Sequence, residues 1–146
     1  MVLAPSVHEA IGLRLAGLDQ RYTCRRRQLV EALATAGRPL TVTELVQAAP
    51  GIPLSSAYRN MSALIDIAVV RRVAGSDNHA RFELAEELSG HHHHLVCASC
   101  GKVEDMHPSP RLERALAKAA QDVAAQQGYA VAEHRFDLVG ICPDCR

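Results

Sequence analysis

The residues with the most chemistry in this sequence lie between His91 and Cys100, in the run HHHHLVCASC. Four consecutive histidines lead into a Cys-x-x-Cys pair, Cys97 and Cys100. A second pair, Cys142 and Cys145, follows after 41 intervening residues. Four thiolates close a tetrahedral zinc shell and leave no position for catalysis. Two disulfides are the alternative pairing, but in a reducing compartment such motifs more often hold metal. Gly101, directly after the second cysteine, opens the turn so that backbone N–H groups approach sulfur. Cys24 has no partner nearby and is expected to be a small, partly buried apolar residue.

Side chains on a strand alternate between its two faces. His92 and His94 therefore point one way, His91 and His93 the other, and one tetrad can feed two sites. Neutral imidazole suits zinc, iron, nickel or copper, and carboxylates complete such sites. Glu83, Glu86, Glu87, Asp105 and Glu113 are the oxygen donors within reach, and His79, His107 and His134 the further imidazoles. His8 is distant and is expected at the surface. A mixed His and carboxylate site exchanges metal more readily than four thiolates, as sensing requires. The competing reading is exposed histidines with incidental affinity.

The elements that must position these groups fall into two modules. A helix is expected over 6–18, with Val7, Ile11, Leu15 and Leu18 on one face. Thr23 caps a second helix that runs to Ala36 and stops at Gly37, burying Leu29, Val30, Leu33 and Ala34. Its first turn carries Arg25, Arg26 and Arg27 at the end that repels cations, which suits phosphate binding or a merely solvated face. Thr41 and Glu44 form a capping box that opens a short third helix through Ala49. After a turn at Pro50–Pro53, Ser55 is expected to cap a helix to Ala68, with Ala57, Met61, Leu64 and Ile65 inward. This is a helix-turn-helix, and Ser56, Tyr58, Arg59 and Asn60 lead its reading helix. Arg and Asn suit base edges; Tyr and Ser suit phosphate or a thymine methyl. The hairpin Val69–Ala74 and Ala80–Leu84 then completes a winged helix.

The second module begins after a polar hinge. Strands are expected at His93–Cys97 and Lys102–Met106. A helix follows from Pro108 and Pro110 to Gln127, with Leu112, Leu116, Ala119, Ala120 and Val123 on one face and Gly128 as its stop. A long strand, Tyr129–Ile141, delivers Cys142 and Cys145. The fold class is α+β, an N-terminal winged helix-turn-helix followed by a small α/β dimerisation domain with a four-cysteine zinc site. The domains are 1–85 and 91–146, joined by a hinge at 86–90.

Composition is consistent with this division. Net charge is zero, but residues 1–75 carry nine arginines against five acids, and the remainder is acidic to the same extent. A basic front suits a polyanion and an acidic rear suits cations. With two Phe, three Tyr and no Trp, the core is poor in aromatics, and a second module this small needs a staple such as metal. No charged leader with an apolar run opens the chain and no stretch approaches a membrane span, so the expected location is cytoplasmic.

The pattern from Arg21 to Cys145 resembles the ferric uptake regulator family of bacterial metal-dependent repressors. The resemblance is carried by Arg21-x-Thr23-x-x-Arg26, LSSAYRNMSAL, the wing ending ARFEL, HHHHLVCASCGKVEDM and HRFDLVGICPDC. It implies a homodimer that binds double-stranded operator DNA, with hinge metal setting two winged helices for adjacent major grooves. Arg21, Thr23, Arg26, Ser55, Ser56, Tyr58, Arg59 and Asn60 would be the DNA-contacting set. Cys97, Cys100, Cys142 and Cys145 would hold structural Zn2+. Glu83, His92 and His94 match hinge ligands of the family, Asp105 matches a further carboxylate used in some members, and His91, His93, Glu113 and His134 match a second regulatory site. The chain departs from the pattern in three places. Gly37–Leu40 lacks the His that iron and peroxide sensors use, Glu83–Gly90 lacks a Cys of zinc sensors, and Arg71 stands where those sensors have Asp. His79 in the wing is the expected replacement donor, with Glu86 or Glu87 as alternatives. The all-His tetrad resembles the zinc uptake regulators, so the regulatory metal is expected to be Zn2+, with Fe2+, Ni2+ or Mn2+ open. A zinc hydrolase using the histidines lacks H-E-x-x-H, and a metal carrier has no need of Tyr58-Arg59 on a helix-turn-helix.

Overall fold

The computed structural model describes residues 3–146; Met1 and Val2, which open the expected first domain, lie outside the described residues. Four helices form the first module: α1 (Pro5–Ala16), α2 (Cys24–Ala36), α3 (Val42–Ala48) and α4 (Leu54–Asp66). Thr23 Oγ1 accepts the Arg26 amide at the start of α2, and Gly37 ends that helix at φ 58°. The Thr41–Glu44 capping box opens α3. Leu15, Leu29, Leu45, Ala57 and Leu64 are fully buried where these helices meet.

Several expectations about this module are corrected. Pro53, not Ser55, is the N-cap of α4, and it offers no side-chain cap; Ser55 is an exposed residue of the first turn. Proline presets the backbone angle for helix entry, so the helix begins earlier than a serine cap would start it. Leu18 and Ile65 lie toward solvent, because α1 ends before Leu18 and Ile65 sits at the margin of the buried stripe. His8 is buried rather than at the surface, with Nδ1 2.8 Å from Tyr22 Oη and Nε2 2.5 Å from Glu31. Cys24 goes the other way. It opens α2 on the outside and is exposed.

The wing is a three-stranded antiparallel sheet. β2 (Val70–Ala74) pairs with β3 (Ala80–Leu84), which also takes β1 (Leu40–Thr41), a strand too short to leave a periodic signal. The expected hinge contains one helical turn, α5 (Glu86–Ser89). The second sheet has the order β5-β4-β6, with β4 (His93–Cys97) antiparallel to β5 (Val103–Met106) and parallel to β6 (Asp137–Gly140). Val73 of the wing is buried against Val96 and Val103, joining the two sheets.

The long strand expected over Tyr129–Ile141 is reduced to Asp137–Gly140. Its register runs from His94 against Asp137 to Cys97 against Gly140. Upstream of Asp137 the partner strand is almost exhausted, so residues 129–136 have little ladder to join. α6 (Pro110–Gln127) is capped by Ser109 and stopped by Gly128, yet Ala124 is its one buried residue. Its apolar face, with Leu116, Ala119, Ala120 and Val123, lines a groove that Tyr129 and Val131 continue.

Candidate metal centres and nucleic-acid face

The histidine tetrad divides by alternation, although β4 begins only at His93 and leaves His91 and His92 ahead of it. Glu83, His92, His94 and Asp105 form one group, and His91, His93, Glu113 and His134 another; the ligand atoms of each lie within 4.8 Å of one another. The first group draws on both sheets. Glu83 comes from β3 of the wing, His94 from β4, and Asp105 from β5, directly opposite His94 in register. Glu83 Oε2 lies 3.0 Å from His94 Nε2 and 3.3 Å from His92 Nε2, while Asp105 Oδ1 is 3.9 Å from His92 Nε2.

The outer nitrogens of both rings are already engaged. His92 Nδ1 donates to the Gly90 carbonyl at 2.8 Å, and His94 Nδ1 is 3.3 Å from Asp137. Such outer partners fix the tautomer and aim the Nε2 lone pair inward, as they do for metal-bound imidazoles. Asp105 Oδ1 is buried without a hydrogen-bond partner. A buried carboxylate oxygen left unpaired is costly unless something positive sits before it. The donor set, its inward aim and this orphaned oxygen fit a divalent cation.

Charge in this group is strongly coupled. Burial works against the Glu83 carboxylate, but His94 and Arg71 outweigh it and hold its pKa below the usual value. Burial also opposes His94 protonation, and Glu83 with Asp137 prevails, raising it. Asp105 is pushed up, by burial first and also by Glu83.

The second group is centred on Glu113 from the first turn of α6. His91 lies 3.2 Å, His93 3.1 Å and His134 3.0 Å from its carboxylate. His134 Nε2, though close, lacks hydrogen-bond geometry and is a second buried orphan. This set too fits a cation, and it ties α6 to the sheet.

Cys97, Cys100, Cys142 and Cys145 form the third group. Cys100 and Cys142 sulfurs are 3.8 Å apart. Zinc–sulfur bonds of about 2.3 Å place tetrahedral sulfurs about 3.8 Å apart, far beyond a disulfide's length. Gly101 takes φ 72°, as the knuckle turn requires. Backbone N–H groups of Cys100 and Cys142 hold the Cys97 thiol down to about 6. Burial and the neighbouring thiols push Cys142 up to about 12. Four sulfurs this close can all shed their protons only around a cation.

Other expected donors stand elsewhere. His79 is not brought to the hinge group; it projects from the wing turn, three-quarters exposed, 3.2 Å from Asp77. The wing turn is held instead by Arg81 on Asp77 and by Ser76 Oγ on the Cys97 carbonyl, which keeps His79 at the far end of the hairpin. Glu87 pairs with Arg14 at 3.0 Å, and Glu86 with Arg71 and His91. His107 is exposed, its ring 6.3 Å from that of His92. Asp137 and the Gly90 carbonyl, which aim the hinge imidazoles, had no signal in the sequence, because only the folded backbone brings them to the rings.

On the first module, Thr23, Arg26, Ser56, Arg59 and Asn60 line one concavity with Cys24 and Arg25. Tyr58 and Arg59 are exposed on α4, and Arg21 and Ser55 on the same module's surface. Arg26 donates to the Arg21 carbonyl at 2.6 Å and to Asn60 Oδ1 at 3.1 Å, while the Asn60 amide donates to the Ser56 carbonyl. Asn60 is therefore a brace between α2 and α4, and Arg59 is the residue left to project. The arrangement is a polar, arginine-rich face on a helix-turn-helix, apt for a polyanion.

Comparison with known proteins agrees. Residues 18–139 match the ferric uptake regulator family. The peroxide-responsive repressor PerR of Staphylococcus epidermidis is 30% identical over 138 residues, covering 92% of this chain and 85% of that protein. The ferric uptake regulation protein of Campylobacter jejuni is 29% identical over 139 residues, covering 91% and 83%. Among solved structures, the Helicobacter pylori ferric uptake regulator superposes with a TM-score of 0.77 at 22% identity, covering 96% of this chain and 91% of that one. Among the described residues no helix is long and apolar enough to cross a membrane. The chain thus belongs to the ferric uptake regulator family, whose members are metal-responsive transcriptional regulators that bind DNA as homodimers, not enzymes.

Proposed function

We propose that this chain is a zinc-responsive repressor of zinc-uptake genes, acting in the cytoplasm. The observation that carries the sensing role is the origin of the hinge donors. Glu83 belongs to the wing sheet, whereas His92, His94 and Asp105 belong to the second module. Gathering these four residues on one cation fixes the wing against the second module. It thereby selects one separation of the two reading helices in a dimer. Bound metal supplies the concentrated positive charge. The residues supply differential affinity for the DNA-competent arrangement, without which no population would shift.

Four nitrogen and oxygen donors suit tetrahedral zinc, whereas manganese favours a six-coordinate oxygen-rich shell and iron sites keep open positions. The names of the relatives favour a second reading, an iron-dependent peroxide sensor, and Asp105 as a carboxylate donor suits it. In both readings the four cysteines hold structural zinc and His91, His93, Glu113 and His134 hold a further cation. The DNA face is Arg21, Thr23, Arg26, Ser55, Ser56, Tyr58 and Arg59, with Asn60 bracing it between α2 and α4. The uncovered apolar face of α6, with exposed Leu138, Val139 and Ile141 on the second module, is where the second copy packs.

The test is metal content by elemental analysis before and after mild chelation, paired with operator binding at each stage. Retention of one zinc per chain and loss of the others, with DNA affinity falling and returning on Zn2+ but not Fe2+ or Mn2+, is expected. Restoration by Fe2+ together with loss of binding on peroxide treatment would favour the second reading. DNA affinity indifferent to chelation would refute sensing altogether.

A further inference from the structure

The hinge group holds a cation of its own. Arg71 on β2 lies opposite Glu83 on β3 in the wing ladder. Its Nε donates to Glu83 Oε1, its Nη1 to Glu86 Oε1 at 2.6 Å, and its Nη2 lies 3.4 Å from His92 Nε2. The side chain is three-quarters buried, and Glu83 is 6% exposed. A guanidinium is permanently charged and presents its donors in a rigid fork. All three nitrogens of this fork are directed at the metal group or its neighbour.

From this we propose that Arg71 is a resident competitor for the hinge site, setting the metal concentration at which the site fills. The inference rests on the reading of Glu83, His92, His94 and Asp105 as the sensing group. Two features of the geometry lead to it. The His92 Nε2 lone pair that Nη2 approaches is the one a metal would take, and it accepts one partner at a time. Glu83 faces Arg71 through Oε1 and the two imidazoles through Oε2, so the guanidinium shares its charge whatever binds the other oxygen. A metal ion must therefore displace Nη2 from His92 and accept a like charge close behind Glu83. Glu86 retains the guanidinium nearby when Nη2 withdraws, so the penalty persists in the filled state. The same ion pair gives the buried Glu83 carboxylate a partner that does not depend on metal. The site therefore fills only above a threshold.

The test uses the full chain with its tightly held zinc retained and Zn2+ as the probe, competed against a chromophoric chelator. A charge within a few ångströms shifts a carboxylate's proton affinity by about one to three pKa units. On that scale Arg71→Gln should bind the hinge zinc about tenfold or more tighter than the native chain. Affinity unchanged or weakened in folded Arg71→Gln overturns the proposal. A measurement on the native chain covers the case where that variant fails to fold. The 15N-labelled Arg71 Nε–H resonance should move when hinge zinc is added, and one unmoved by filling would overturn the competitor role. His92→Ala separates the two readings. If it abolishes hinge uptake while Arg71→Gln changes nothing, only the Arg71 inference fails. If the native chain takes up no exchangeable zinc, or His92→Ala leaves uptake intact, both fail.

Discussion

Replacing Glu83 by Gln removes one charge and almost no volume from the point where the two sheets meet. Glu83 is 6% exposed and faces Arg71 through one oxygen and His92 and His94 through the other. Removing one partner of a buried ion pair costs about 3–5 kcal/mol, because the remaining charge is left uncompensated. Here Glu86 stays 2.6 Å from Arg71 and compensates part of it, and Gln retains a hydrogen-bonding shape. The expected loss therefore falls below that range, at about 2 kcal/mol, in urea unfolding of the chelated protein followed by circular dichroism. In the metal-loaded chain the same change removes one of four donors. Outer-shell partners alone contribute about 10–100-fold to metal affinity, so losing a charged ligand should cost about 100-fold or more. The two effects are measured separately, by unfolding and by chelator competition. Native stability together with native zinc affinity in Glu83→Gln would refute both the burial argument and the ligand assignment.

Cys100→Ser should lower tightly bound zinc by one per chain and loosen the turn carrying Cys142 and Cys145, read by elemental analysis and analytical ultracentrifugation; full zinc content would exclude the knuckle assignment. Arg59→Ala should weaken operator binding by about 1–3 kcal/mol with metal content untouched, and equal affinity in a fluorescence titration would remove Arg59 from the base-reading set. The Glu44 carboxyl of the α3 cap is opposed by burial, but the Thr41 amide and Arg38 hold it below its ordinary 4.5. Its stabilisation is complete above about that pH and lost as pH falls through the lowered value. Glu44→Gln should then flatten the acid limb of the stability-against-pH curve, and an unchanged limb would mean the cap contributes nothing.

Much of the site was legible because its signals are local and periodic. An alternation carried from β4 back through His91 sufficed to separate His92 and His94 from His91 and His93, and the two Cys-x-x-Cys pairs carry their geometry in their spacing. Thr23, the Thr41–Glu44 box, Gly37 and Gly128 mark helix ends by short-range hydrogen bonding that any chain with those residues would form. What tertiary structure decided is non-local. The brevity of β6 follows from the length of the strand it joins, and Asp137 becomes an aiming residue only through that register. His8 is buried because Tyr22 and Glu31 close over it, whereas Cys24 is exposed because of where α2 turns its first residue. The departure from family pattern at Arg71 was visible as a residue type. That its guanidinium lies on Glu83, Glu86 and His92, while His79 stays with Asp77, depends on how the wing folds onto the second sheet. Long-range pairing of charges is set by packing between distant segments, and no spacing along the chain encodes it.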